Sequence, residues 1–567
     1  MALGKVALAA FAACTSLVQA ASRDQWISRS IYQIVTDRFA RSDNSTTAPC
    51  DAQEGYYCGG DFQGIINKLD YIQDLGFSAI WISPVQSQIM ERTADLSGAQ
   101  QPLPLTHDPC VAINSHFGSP EDLKALSDAL HARGMYLMLD VVVNDMAWAG
   151  NASTVDYSQF NPFNSEEYFH PYRLLSDDPL NETCVIDCWL GDTIVSLPDV
   201  RTEDDKVASM LYFWITELVS NYSVDGLRID SVFNVDPGFW PDFNSSAGVF
   251  CIGEGSTRNA TELCPLQDGL NGLLNYPLYY ILTESFNDTA SDLNTVVRAM
   301  EFIMIQCKDI FALGTFTENQ DVPRFASYTQ DLSLARNIIT FNLLGDGIPV
   351  FYYGEEQHLS GAYNPVNREA LWLTDYSWNT TSLPFLVKSL NRLRSYAAVN
   401  GTQFTAANEP GNDYLTFIMY PIYNSTHILA LRKGFVGNQV ISVLSNLGTY
   451  PDGNVETKIV LNATGTGFQP GQSVTEILSC QTVLTDENGN LDVDLHDGGP
   501  RVYYPTDSLN IYSDLCGHHE AQPATSGNSS SGTSPKKSDG SLSTSSDLLN
   551  VLYAVSSTLF LVMGFPV

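Results

Sequence analysis

The stretch SPEDLKALSDALHARGMYLMLDVVV, residues 119–143, carries two hydrophobic patterns in succession. Up to His131 the apolar residues return every three or four positions, as in Leu123, Leu126 and Leu130, which is the spacing of a helix with one buried face. From Tyr136 onward the run becomes a short, β-branched, strand-like segment. The same alternation runs from about residue 25 to 400. Further strand-like segments are IYQIV (31–35), SAIWI (78–82), DGLRID (225–230), VFCIGE (249–254), LGTFTEN (313–319) and IPVFYYG (348–354). Alternating strands and helices argue for a parallel sheet, and this many repeats favours a closed (β/α)8 barrel, an α/β fold, over residues 21–404. One connection, about 144–205, is too long for a loop and is expected to be an inserted subdomain. Beyond residue 405 short strands (YLTFIMYPIY, HILALRKG, QVISVLSNLG) with Gly-rich turns predict a C-terminal antiparallel β-sandwich over 405–517.

The chain has 567 residues, room for two to four domains with full cores. Its 28 basic and 64 acidic residues leave a net charge of −36, which excludes nucleic acid and anionic membrane surfaces as partners and suits a neutral polymer. Residues 1–20 read as a signal peptide: Lys5, an apolar run, and a small-residue site at Val18-Gln19-Ala20. Residues 518–547 are rich in Ser, Gly and Thr and build no core, and 548–567 are an apolar tail. Together they spell a GPI attachment signal with the site near Ser538–Gly540, Asn528 being a second choice, and an ordinary transmembrane helix being the alternative. About a dozen N-x-S/T sequons, among them Asn151, Asn221 and Asn424, agree with export to the outer face of the plasma membrane or the cell wall. Eleven cysteines leave ten once Cys14 goes with the signal. In an oxidising compartment disulfides are the default. Nearness in sequence suggests Cys50–Cys58 and Cys184–Cys188, and the remainder can pair in several ways.

Several strand-like segments end in acids, and in such a barrel all C-terminal strand ends meet on one face. Arg228 and Asp230 are two apart on one strand and share a direction. Glu254 ends the next strand, and Asp321 follows another. A glycosidase needs an ionised carboxylate and a protonated one astride the bond. Arg228 beside Asp230 keeps that acid charged, and an apolar setting holds Glu254 protonated. No G-x-S-x-G or H-E-x-x-H motif supports a lipase or peptidase.

With these residues in view, DVVVND (140–145), GLRIDSVFNV (226–235), GEGS (253–256) and FTENQD (316–321) resemble the signature regions of glycoside hydrolase family 13, the α-amylase family. The likeness to the secreted fungal type runs from about Trp26 to Cys516. It includes YCGGDFQGIINKLDYIQDLGFSAIWISPV (57–85), CWLGDTIVSLPD (188–199), NREALWL (367–373) and GPRVYYP (499–505). The resemblance implies a barrel with an inserted B subdomain and a C-terminal β-sandwich, acting as a monomer on α-1,4-glucan polysaccharide or maltooligosaccharide. It implies Asp230 as nucleophile, Glu254 as general acid/base and Asp321 as the acid that binds and distorts the sugar. Arg228, Gln63, Trp81, Phe233, Asn234, Gln320 and Arg368 fall at substrate-binding positions. Calcium is implied at the side chains of Asn144 and Asp199 and the carbonyls near Ile186 and Asn234, all oxygen ligands as a hard cation requires. Pairs Cys264–Cys307 and Cys480–Cys516 are implied too, while Cys184 is displaced from the family's cysteine, and Cys110 and Cys251 are left unassigned.

The chain departs from the family where two histidines usually grip the sugar: Asp145 follows Asn144, and Gln320 precedes Asp321. Residues 86–116 lack the usual aromatic stretch and offer His107, Phe233-Asn234 stands in place of Lys-His, and Asn364 replaces an aspartate near Arg368. Hydrogen bonds that tighten in the transition state each contribute about 2.7–4 kcal/mol, so water attack is expected to slow. An incoming glucan can use acceptor-site binding to lower its own barrier. The chain is similar in this to GPI-anchored fungal members with altered histidines, which implies 4-α-glucanotransferase activity. A plain tethered α-amylase and a non-catalytic α-glucan-binding wall protein are the alternatives.

Overall fold

The computed structural model describes residues 21–87, 113–175, 182–403, 414–451, 453, 455–509 and 515–516. The signal and anchor segments, His107, Cys110 and most of 86–116 lie outside the described residues. Among the described residues no helix is long and apolar enough to cross a membrane.

The opening stretch folds as its pattern dictates. Ser119 caps the helix Pro120–His131: its hydroxyl accepts the Asp122 amide at 3.2 Å and the Asp122 carboxylate accepts the Ser119 amide at 2.8 Å, while Pro120 sits in the first turn. Leu123, Leu126 and Leu130 are wholly buried, each contributing about 1.5–3 kcal/mol. Gly134, at φ +70°, ends the helix and turns the chain into a strand.

Eight parallel strands close a barrel: β1 (Ile31–Ile34), β2 (Ala79–Ile82), β3 (Tyr136–Val141), β4 (Gly226–Ile229), β5 (Phe250–Gly253), β6 (Gly272–Leu274), β7 (Leu313–Thr315) and β8 (Ile348–Tyr352). Each strand pairs with its neighbours in sequence order, and β1 pairs with β8. Seven of the eight coincide with strand-like segments of the sequence. The missing one, β6, is as short as β7 but holds only Gly and Leu, with none of the β-branched or aromatic residues that mark a strand.

Alternate residues separate into two cores. Ile31, Ala79, Trp81, Met138, Phe250, Ile252, Leu274 and Val350 form one cluster. Their strand neighbours Tyr32, Ile80, Leu137, Leu139, Leu227, Ile229 and Cys251 join the larger cluster that includes the helices. The period-2 pleat therefore also carries Gln33, Asp140 and Arg228 on the first set's side of their strands.

Between β3 and the helix Asp205–Tyr222 lies an excursion with a three-stranded sheet, Trp148–Ala149, Val195–Leu197 and Leu190–Gly191. Phe160, Phe163 and Phe169 pack beneath it. Beyond the barrel, six antiparallel strands run in the order Tyr420–Asn424, Ile428–Lys433, Val440–Ser445, Arg501–Pro505, Ser473–Glu476 and Gln481–Leu484. A second pair, Lys458–Leu461 with Leu491–Asp494, shares their core through Ile459, Leu461, Leu491 and Val493. Disulfides join Cys50–Cys58, Cys184–Cys188, Cys264–Cys307 and Cys480–Cys516, and Cys251 is a buried free thiol.

Candidate active site

The ends of β3, β4 and β5 bring three carboxylates together around one guanidinium. Arg228 is buried and donates from Nη1 to Asp140 and to Asp230, both at 2.7 Å, and its Nη2 lies 2.8 Å from Glu254 Oε2. Trp81 Nε1 donates to the other Asp140 oxygen at 3.1 Å, and the Arg228 guanidinium sits 5.3 Å from the Trp81 ring. One cation thus offsets three carboxylates, and these pairings through Nη1 and Nη2 make its burial tolerable, with Nε left without a hydrogen bond. Burial lifts Asp140 to about 7, although Arg228 opposes the rise.

The three acids differ in access. The Glu254 side chain is 10% exposed, Asp230 18% and Asp321 36%, so Glu254 is the most desolvated. Burial raises Glu254 to about 7, with Arg228 lowering it and the charges of Asp230 and Asp321 raising it. The Tyr276 hydroxyl, two residues past β6, donates to Glu254 Oε1 at 2.7 Å and accepts from Asn319 Nδ2 at 3.0 Å. Ser231, held at φ +51°, donates its hydroxyl to Asp230 at 2.7 Å and its amide to Glu254 at 3.3 Å. Arg368 reaches Asp321 Oδ1 at 3.2 Å and the Gln320 carbonyl at 3.1 Å. Chemically, this is a buried acid able to carry a proton near neutral pH, beside a carboxylate held against a cation.

Not every residue expected at the substrate lies open to it. Trp81 is buried under Arg228, so it supports Asp140 and presents no surface to a sugar, because its indole fills the barrel interior. Gln63 faces solvent on the helix Phe62–Asn67 and donates to Asn67 at 2.9 Å. Gln320 is buried with its side-chain oxygen taken by Gln33. Phe233 and Asn234 occupy a half-buried 3₁₀ turn after β4.

Asn144, Asp145 and Asp199 are buried where the excursion leaves and rejoins the barrel. The Val200 amide donates to the Asn144 carbonyl at 2.7 Å, and Asp145 bridges to Asp199. One side-chain oxygen of each of the three has no hydrogen-bond partner. Three buried, donor-free oxygens fit a hard cation such as calcium. Among the described residues no group of three or more His, Cys, Asp or Glu side chains is set for a metal; this set holds two carboxylates and one amide. Asn234 Nδ2 donates to the Val185 carbonyl at 2.9 Å, next to Ile186.

Sequence reasoning gave no role to Asp140, Tyr276, Gln33 or His170, although each touches a site residue. His170 lies 2.6 Å from Asp199 Oδ2 and 3.0 Å from Glu203. Asp140 could have been found, since it stands two residues from Met138 on an inward strand face.

Comparison with known proteins identifies the family. Residues 33–390 match the family model "Alpha amylase, catalytic domain", and residues 421–524 match "Alpha-amylase, domain C". The chain is 45% identical to Alpha-amylase 2 of Schwanniomyces occidentalis over 491 residues, covering 87% of this chain and 92% of that one. It is 42% identical to the Alpha-amylase of Saccharomycopsis fibuligera, with coverage of 87% and 94%. The solved structure of an α-amylase from Malbranchea cinnamomea superposes with a TM-score of 0.79 at 44% identity, covering 88% of this chain and all of that one. With both regions matched by family models and relatives above 40% identity covered over most of their length, the chain belongs to the α-amylase family of glycoside hydrolases.

Proposed function

We propose that the chain is a retaining enzyme acting on α-1,4-glucan through a covalent glycosyl-enzyme, with strong 4-α-glucanotransferase activity. The observation that carries this is the single guanidinium of Arg228, bonded at 2.7 Å to Asp230 and lying 2.8 Å from Glu254. Two carboxyls on adjacent nitrogens of one group suit the ~5–5.5 Å spacing of retaining enzymes better than the ~6.5–9.5 Å of inverting ones. Asp230 attacks the anomeric carbon while Glu254 delivers its proton to the leaving oxygen. Asp321, the most open acid and steadied by Arg368, binds the sugar hydroxyls. Gln320, tied back to Gln33, has less freedom to grip the sugar in the transition state. Half-buried Phe233 favours an incoming glucan over water.

Calcium at Asn144, Asp199 and the carbonyls near Ile186 and Asn234 supplies a cross-link between the excursion and the barrel. The boundaries 21–404 with insertion 144–205, then 405–517, remain the proposed domains. Export, a GPI anchor and a surface or wall location rest on the terminal segments, and the proposed state is monomeric. The names of those relatives favour a hydrolytic α-amylase as the second reading.

Incubation with a defined maltooligosaccharide decides between the two. Products longer than the donor, absent with Asp230→Asn, are expected; only shorter products would refute transfer. No turnover at all would refute the enzyme.

A further inference from the structure

Two glycines bracket Glu254, and the turn after β4 rests on both. The Val232 amide donates to the Glu254 carbonyl at 3.0 Å, which docks the 3₁₀ turn Val232–Asn234 onto the end of β5. A β-carbon on Gly253 would stand 3.0 Å from Val232 Cγ1 and 2.6 Å from Leu270 Cδ1. A β-carbon on Gly255 would stand 2.6 Å from Phe233 Cε2, 3.1 Å from Phe233 Cδ2 and 2.7 Å from Leu263 Cδ1. Carbon atoms rest about 3.5–4.0 Å apart, so any side chain at 255 must displace the Phe233 ring. Gly255 is not among the residues with positive φ, so the demand for glycine here is for space and not for backbone freedom. Phe233 meanwhile packs one side on the barrel core and stays half-exposed, directly after the strand that bears Asp230.

We infer that Gly255 is a positioning residue for acceptor choice. By leaving its side empty, it lets the Phe233 ring lie across the backbone next to the acid/base Glu254. There the ring forms an apolar platform for the glucose unit on the leaving-group side. One face of a pyranose is lined with C–H bonds and packs on an aromatic ring, whereas a water molecule gains nothing from it. Phe233 touches the sugar; Gly255 acts only through Phe233. This rests on the glucanotransferase reading for its consequence, but the platform itself can be tested without it.

The test uses the full chain with Gly255→Ala, Phe233→Leu and the double variant. The readouts are the first bond cut in end-labelled maltoheptaose and the transfer-to-hydrolysis ratio with added maltose. An aromatic contact of this kind is worth about a three- to tenfold effect. Each single variant is expected to shift the cleavage pattern and lower the ratio by that factor, and the double by no more than either single, since both remove one contact. Unchanged patterns, or effects that multiply, overturn the proposal. A substrate with a fluoride leaving group, α-maltosyl fluoride, places no sugar on Phe233. A loss there as large as with maltoheptaose marks a merely structural role and also overturns it. Should Gly255→Ala fail to fold because its β-carbon also meets Leu263, Phe233→Leu alone carries the test, and an unchanged cleavage pattern there overturns the inference. Wild type that makes no longer products sinks the transferase reading alone, while the cleavage pattern still decides the platform.

Discussion

Replacing Tyr276 with phenylalanine deletes one oxygen and two hydrogen bonds while keeping the buried ring. The lost oxygen donates to Glu254 at 2.7 Å and accepts from Asn319 at 3.0 Å. A hydrogen bond to a charged group is worth about 1.5–3 kcal/mol, and one pKa unit is about 1.36 kcal/mol. Because the protonated acid also accepts a hydrogen bond, the differential falls at the low end, about one unit. The Tyr276 bond favours the carboxylate, so its loss moves Glu254 upward from about 7. A general acid acts only while protonated, and the alkaline limb of kcat/KM for maltoheptaose should therefore move to higher pH by about one unit. The freed Asn319 donor costs about 1–3 kcal/mol of stability, visible as a lower Tm. An alkaline limb that stays in place or moves to lower pH would show that Glu254 is not the proton donor.

Arg228→Lys cannot hold Asp140, Asp230 and Glu254 at once, and kcat should fall at least about a hundredfold with little change in KM. Chelation of calcium should lower Tm in the parent, and Asn144→Ala should lose that response while lowering Tm by itself; an equal response in both would remove Asn144 from the metal site. Burial raises Asp140 from 3.8 and Glu318, a buried acid 2.7 Å from Arg324, from 4.5, each to about 7. These groups bind protons more tightly folded than unfolded, so their stabilising contribution is complete below about pH 4 and is lost as pH rises through 7. Tm measured at pH 5 should accordingly exceed Tm at pH 8, and the reverse order would refute the assignment.

Long periodic runs such as 119–143 revealed most of the barrel before any coordinates did, because a pleat of period 2 and a helix of period 3.6 leave different marks on a chain. β6 left none: Gly272–Leu274 holds no β-branched or aromatic side chain to mark it as a strand, and its end carries Tyr276 to Glu254. Acids at strand ends announced themselves by position, but which neutral groups orient them did not. Tyr276, Asn319 and Gln33 meet their partners across 22, 43 and 287 residues of chain, distances at which no local pattern can act. The tryptophan at 81 shows the opposite failure. Its motif pointed to a binding surface, yet strand alternation turns it inward.

Sharing one arginine among three acids has a temporal consequence. On the proposed mechanism Asp230 becomes an ester and sheds its negative charge in the first half of the cycle. That charge is among the influences that raise Glu254, whereas Arg228 pulls the other way. With its competitor neutralised, Arg228 is left to Glu254 and Asp140, and Glu254's proton affinity drops just after it has surrendered its proton. The same residue is then primed to deprotonate whatever arrives next, be it water or the hydroxyl of another glucan, and regains its original appetite for protons only when Asp230 is released.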